Sequence, residues 1–120
     1  MVSDLQCPAR FLLLTDPDVS MAATLSHERA AAVYDGGGGP GAQALAEALG
    51  VPAQALAQPL TIAGVLARDA EALRVLEDLA DLHRGETVVV TAQGGPGRRV
   101  DVAVDADGHT VEEVSPGDAR

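Results

Sequence analysis

The residues best placed to do chemistry are Gln93-Gly94-Gly95-Pro96-Gly97-Arg98-Arg99, which follow directly on the β-branched run Thr87-Val88-Val89-Val90-Thr91. In open α/β sheets ligands gather beyond the carboxyl ends of the strands, and a glycine-rich turn there can present backbone N–H groups to an anion. Arg98 and Arg99 add forked guanidinium donors that suit phosphate or carboxylate oxygens. Gly94, Gly95, Gly97, Arg98 and Arg99 are therefore the candidate ligand-binding residues, for a weakly held phosphate or other small anion. The competing reading is a tight connection into the next strand with two solvated arginines.

Other clusters offer less. Gly36 to Gly41 lacks the Lys-Ser/Thr ending of a phosphate-binding loop. His27, His83 and His109 are scattered, and a histidine such as His83 near a helix C-terminus is favoured by the helix dipole alone. Asp105-Ala106-Asp107-Gly108 has the aspartate spacing of a calcium loop. Its first ligand position would be Ala103, however, and its closing position Val114, so it reads as a hairpin turn. The single cysteine, Cys7, excludes an internal disulfide and a cysteine-based metal cluster. No metal and no cofactor are expected.

The elements that must position the glycine loop come next. Leu73, Leu76, Leu79 and Leu82 recur at helical spacing, with Glu71, Arg74, Glu77, Asp78 and Asp81 on the other faces. Asp69 suits the N-cap and Gly85 the C′ position. Thr87 to Thr91 is a buried strand, and Phe11 to Leu14 a central one that Asp16-Pro17-Asp18 stops. Met21 to Tyr34, rich in alanine, reads as a helix. Pro40 and Gly50 bracket a second, GAQALAEAL. A short strand is expected around Ala55 to Ala57 and a weak helix over Ile62 to Leu66. Val100, Val102 and Val104 alternate with Asp101, Ala103 and Asp105 at a period of two, and Thr110 to Val114 supplies the return strand. The prediction is one α/β domain over residues 10–114, a three-layer sandwich with a mainly parallel sheet and a C-terminal antiparallel hairpin. Residues 1–9 and 115–120 are tails.

Composition narrows the partners. In 120 residues the formal net charge is −10, and every basic residue is arginine. Such a chain repels polyanions at long range, which argues against nucleic acid and anionic membrane surfaces. No apolar run reaches the roughly 18 residues that span a bilayer, and no signal peptide is visible. A cytoplasmic setting is expected. With only Phe11 and Tyr34 for aromatic mass, the core must be built from Leu, Val and Ala.

Three places in order resemble the histidine phosphatase superfamily, the phosphoglycerate mutase-like proteins. The family opens with a strand ending in Arg-His-Gly, whose His takes up the phosphoryl group. Here the strand is Phe11 to Leu14 and those positions hold Thr15-Asp16-Pro17. A leucine- and alanine-rich helix follows, matched by Ala42 to Leu49. Then comes Ser-Ser-Pro-Leu-x-Arg-Ala, its Arg holding phosphate, where this chain has Ala57-Gln58-Pro59-Leu60-Thr61-Ile62-Ala63. Finally the family has a helix, Gly-Glu-Thr, a valine strand and Ser-His-Gly-Gly. Gly85 to Gly95 fits this closely, with Gln93 in place of the second His. The resemblance implies a truncated phosphoglycerate mutase-like fold. Between Ala63 and Asp69 there is no room for the family's lid segment and its acidic proton donor.

The resemblance also implies that Thr15, Asp16, Ile62 and Gln93 are degenerate catalytic positions. Phosphoryl transfer through histidine needs a neutral imidazole as nucleophile and cations around the phosphate oxygens. Asp16 could form an acyl phosphate, but the chain has no lysine, and Thr15 and Ile62 stand where arginines would. The expected function is a catalytically inactive phosphatase-like domain that acts by binding a protein partner, a second copy or a small anion. Two alternatives stay open: a working phosphomonoesterase or phosphotransferase with rearranged residues, and a structural dimerisation domain that pairs through the hairpin edge.

Overall fold

A computed structural model describes residues 8–15, 22–37, 41–94, 99–105 and 108–114. Six strands form one mixed sheet: β1 (Ala9–Leu14), β2 (Ala30–Asp35), β3 (Ala53–Ala55), β4 (Thr87–Thr91), β5 (Arg99–Asp105) and β6 (Gly108–Val114), in the order β3-β2-β4-β1-β5-β6. The pairs β3–β2, β2–β4 and β4–β1 are parallel. The pairs β1–β5 and β5–β6 are antiparallel. The sheet is thus mainly parallel with an antiparallel C-terminal hairpin, as the sequence reading expected, and it is mixed because β5 returns directly against β1.

Strand alternation divides the core in two. Phe11, Leu13, Val88, Val90, Val100, Val102 and Val104 share a cluster with Ile62 and Val65 of α3 (Ile62–Leu66) and Leu76 and Leu79 of α4 (Ala70–Leu82). Leu12, Leu14, Val33 and Val89 share the other with Leu25 of α1 (Ala22–Leu25) and Ala42, Leu45 and Ala46 of α2 (Gly41–Leu49). Helices therefore pack on both faces. This explains why β1 and β4 read as continuous apolar runs: Phe11 to Leu13 and Val88 to Val90 have no exposed surface. Burying each such side chain stabilises the fold by about 1.5–3 kcal/mol.

The helix α4 starts where Asp69 accepts from the Glu71 N–H, and the chain turns out of it through Gly85 (φ 76°). Among the described residues no helix is long and apolar enough to cross a membrane.

Two expectations are corrected. Met21 to Tyr34 is not one helix. Its described part is α1, a 3-10 turn over Ser26–Glu28, Arg29 at φ 55°, and then β2. Alanine's helix propensity is overridden because Ala32 to Tyr34 are buried between β3 and β4, with Val33 on one face and Tyr34 on the other. The short strand β3 also lies two residues earlier than Ala55 to Ala57. The Asp107-Gly108 turn and both tails fall, wholly or in part, outside the described residues.

Candidate functional site

The carboxyl ends of β1, β2 and β4 meet at one edge of the sheet, and backbone bonds carry the chain past them. The Ala92 N–H donates to the Leu14 carbonyl at 2.8 Å, which keeps the segment after β4 beside Thr15. The Gln93 N–H donates to the Leu60 carbonyl (2.8 Å), and the Ile62 N–H donates to the Gln93 carbonyl (2.7 Å). Thr61 and Gln93 thereby form a short parallel bridge. Thr15, Ile62 and Gln93 are drawn together although they stem from three separate segments. Asp16 lies outside the described residues.

Close packing fixes this edge. A Cβ on Gly94 would lie 2.7 Å from the Ile62 Cβ and 2.9 Å from its Cγ1, so only glycine lets the two segments touch. On the β2 side, the Gly36 N–H donates to the Thr91 carbonyl and the Gly36 carbonyl accepts from Leu60 (2.8 Å). A Cβ on Gly36 would collide with that Thr91 carbonyl. Asp35 Oδ1 accepts from the Gly37 N–H (2.9 Å) and the Thr91 hydroxyl (3.2 Å), while the Gln93 side chain lies over Gly37.

The chemistry available is limited. Thr15 and Ile62 are buried and Gln93 is exposed. Ile62 packs into the apolar cluster beside Leu60 and Val65, so an alkyl group and an amide meet here. The carboxylate of Asp35 already accepts two neutral donors.

Of the glycine loop, Gly94 and Arg99 are described, and Gly95, Gly97 and Arg98 lie outside. Arg99 pairs with Leu14 in the β1–β5 register, close to the crevice. Its guanidinium is nevertheless turned along β5 onto Asp101, with Nε to Oδ1 at 2.8 Å and Nη2 to Oδ2 at 3.1 Å. That hydrogen bond raises the Arg99 pKa; burial opposes the rise, and the charges of Asp101 and Glu28 reinforce it. Arg10 joins the same network, reaching Glu28 at 3.0 Å and Asp101 at 3.5 Å.

The chain matches no protein family, no curated protein and no solved structure.

One arrangement escaped the sequence reading. Tyr34 Oη lies 2.7 Å from His83 Nε2, and His83 Nδ1 lies 2.8 Å from Glu86 Oε1. With the Glu86 carboxylate accepting from Nδ1–H, Nε2 is left to accept from the tyrosine hydroxyl. The two rings meet edge to face, 5.6 Å apart at 74°. Burial pushes the Tyr34 hydroxyl pKa up, and the Glu86 charge adds to this. Tyrosine, histidine and carboxylate in line suggest a proton relay, but Tyr34 is only 6% exposed. Here the chain of bonds ties β2 to the end of α4 and to the residue before β4. The His83–Glu86 spacing is legible in sequence; the contact with Tyr34, 49 residues away, is not.

His27 is exposed on the 3-10 turn, and His109 on β6 stands 3.1 Å from Glu77 of α4. No group of three His, Cys, Asp or Glu side chains among the described residues could hold a metal ion. A cleft of about 490 Å³ lies between α4 and Leu56–Gln58, lined by Leu56, Val75, Leu79, Glu71, Arg74 and Asp78. It is separate from the Thr15–Ile62–Gln93 crevice. Being flanked by two carboxylates and one arginine, it is a poor anion site.

Proposed function

We propose that this chain is a degenerate, truncated histidine-phosphatase-like domain that has lost phosphate chemistry and acts by binding. The observation that carries the reading is the convergence of Thr15, Ile62 and Gln93 at the carboxyl ends of β1 and β4. These positions were selected by resemblance to a phosphate-handling site, from segments up to 78 residues apart (93 − 15). Their side chains are a hydroxyl, an alkyl group and an amide, so these three described residues offer neither an imidazole nucleophile nor a cation to steady a developing phosphoryl charge. The described arginine nearest the crevice in register, Arg99, is held by Asp101.

The reading extends the α/β architecture to the three-layer arrangement of the phosphoglycerate mutase-like proteins, without their lid, in a cytoplasmic setting. What is bound follows from charge. An acidic chain whose neighbouring arginine is occupied favours a protein surface over a free anion. The runner-up, a working phosphomonoesterase, needs Asp16 as nucleophile.

Turnover of p-nitrophenyl phosphate by the purified protein, with and without magnesium, tests the proposal. No release of nitrophenol above the uncatalysed rate is expected. Turnover that disappears in an Asp16→Ala variant would overturn the proposal and establish the runner-up.

A further inference from the structure

The two edges of the sheet are built differently. β3 offers a three-residue edge, whereas β6 pairs with β5 along all seven residues, and among the described residues no strand pairs with its other side. An unpaired strand edge carries a row of backbone donors and acceptors ready for another strand, and proteins that avoid this use short edges or charges placed to repel. β6 is held firmly: His109 stands against Glu77 of α4, and the His109 carbonyl accepts from Arg68 at 3.3 Å.

From these features we infer that β6 pairs antiparallel with β6 of a second copy of this chain, about a two-fold axis at Val111. The inference rests on the sheet edge alone and stands apart from the fate of the crevice. In an antiparallel pair, directly opposite residues share a face, so a two-fold normal to the sheet must fall on a residue. An axis at Val111 is the one that uses the whole strand, Gly108–Val114. It sets Val111 opposite its own copy and Glu112 opposite Thr110. An axis at Glu112 would instead oppose two glutamates, and an axis at Thr110 would leave positions 113 and 114 unpaired.

Glu112 supplies the reason for a partner. Within the chain it sits opposite Asp101, a like-charge cross-strand pair. Asp101 is neutralised by Arg99 and Arg10, whereas exposed Glu112 meets no donor among the described residues. A second copy brings the exposed Thr110 hydroxyl to that position, twice per dimer by symmetry. A strand pair of this length is a small interface, so the association is weak. The −10 charge on each copy opposes it, and added salt therefore strengthens it.

Sedimentation equilibrium of the purified chain, from about 10 μM to 1 mM, tests this in the range expected of small interfaces. The apparent mass should rise from 12.2 kDa towards twice that value, and more steeply at higher salt. Thr110→Glu, an exposed change that sets like charges opposite, should weaken dimerisation at least about tenfold, with the circular dichroism spectrum unchanged. The double variant Thr110→Glu/Glu112→Lys should restore it, because each new pair is then of opposite charge. A chain that stays at 12.2 kDa throughout, or a dimer indifferent to Thr110→Glu, or a double variant that fails to recover, overturns the inference.

Discussion

The edge of the sheet beyond β1 and β4 and the outer surface of β1 and β5 use polar groups in opposite ways. At the first, backbone bonds and glycine contacts hold Thr15, Ile62, Gln93 and Gly94 closely packed, with an alkyl side chain at the centre. At the second, Arg10, Glu28, Asp101 and Arg99 form a continuous ionic network beside the 3-10 turn. Other described arginines are also engaged structurally: Arg84 with Asp81, and Arg68 with the His109 carbonyl. Guanidinium groups here hold strands and helices to one another. Beyond β1 and β4 isoleucine and glycine pack against each other instead.

If the crevice is structural, damage there should exceed damage to the ionic network. Ile62→Ala removes a fully buried side chain from the α3–sheet cluster and should cost about 3 kcal/mol, read from urea unfolding. A loss under about 1 kcal/mol would mean that the site collapses freely around Ile62. Gly94→Ala places a methyl group against the Ile62 side chain and should cost about 2 kcal/mol. The double variant Gly94→Ala/Ile62→Ala should lose close to the sum, since alanine keeps the Cβ that stands 2.7 Å from the added methyl and relieves only the Cγ1 contact at 2.9 Å.

Tyr34→Phe removes the donor to His83 and should cost about 1 kcal/mol at neutral pH. It should also alter the alkaline limb of stability. The Tyr34 pKa is raised in the folded state above its ordinary value of 10.0, so the unfolded chain loses that proton first. Stability from this group is fully present below pH 10 and is lost as pH rises through the folded-state pKa. Unfolding followed across that range should show a shallower fall in stability for the Tyr34→Phe variant than for the parent. The smallest effect belongs to the network. Asp101→Asn should cost under about 1 kcal/mol, and less at high salt, because Asp101 and its two arginines are partly exposed.

Much of this architecture was legible. The leucine period of α4, the valine run of β4 and the alternation of β5 each match their element closely, because packing on one or both faces imposes those patterns. β2 was not legible. Ala30-Ala31-Ala32 extends a helix-forming stretch, and the break comes from Arg29 in a left-handed conformation, which no residue type there announces. The candidate site was only half legible. Its positions came from ordered motifs, whereas the Thr61–Gln93 bridge joins segments 32 residues apart (93 − 61) and has no local signature. The Arg10–Glu28–Asp101–Arg99 network and the Tyr34–His83–Glu86 chain escaped for the same reason: each depends on strand register.

Phosphate titration of the ¹⁵N-labelled protein, followed by backbone amide shifts, tests the proposed loss of phosphate chemistry most directly. A crevice to which the described residues bring no free cation predicts no saturable shift at Thr15, Ile62 or Gln93 below about 10 mM phosphate, the weak end expected of exposed charge-assisted contacts. Saturable shifts at those three residues with a Kd under about 1 mM would show a working phosphate site and contradict it.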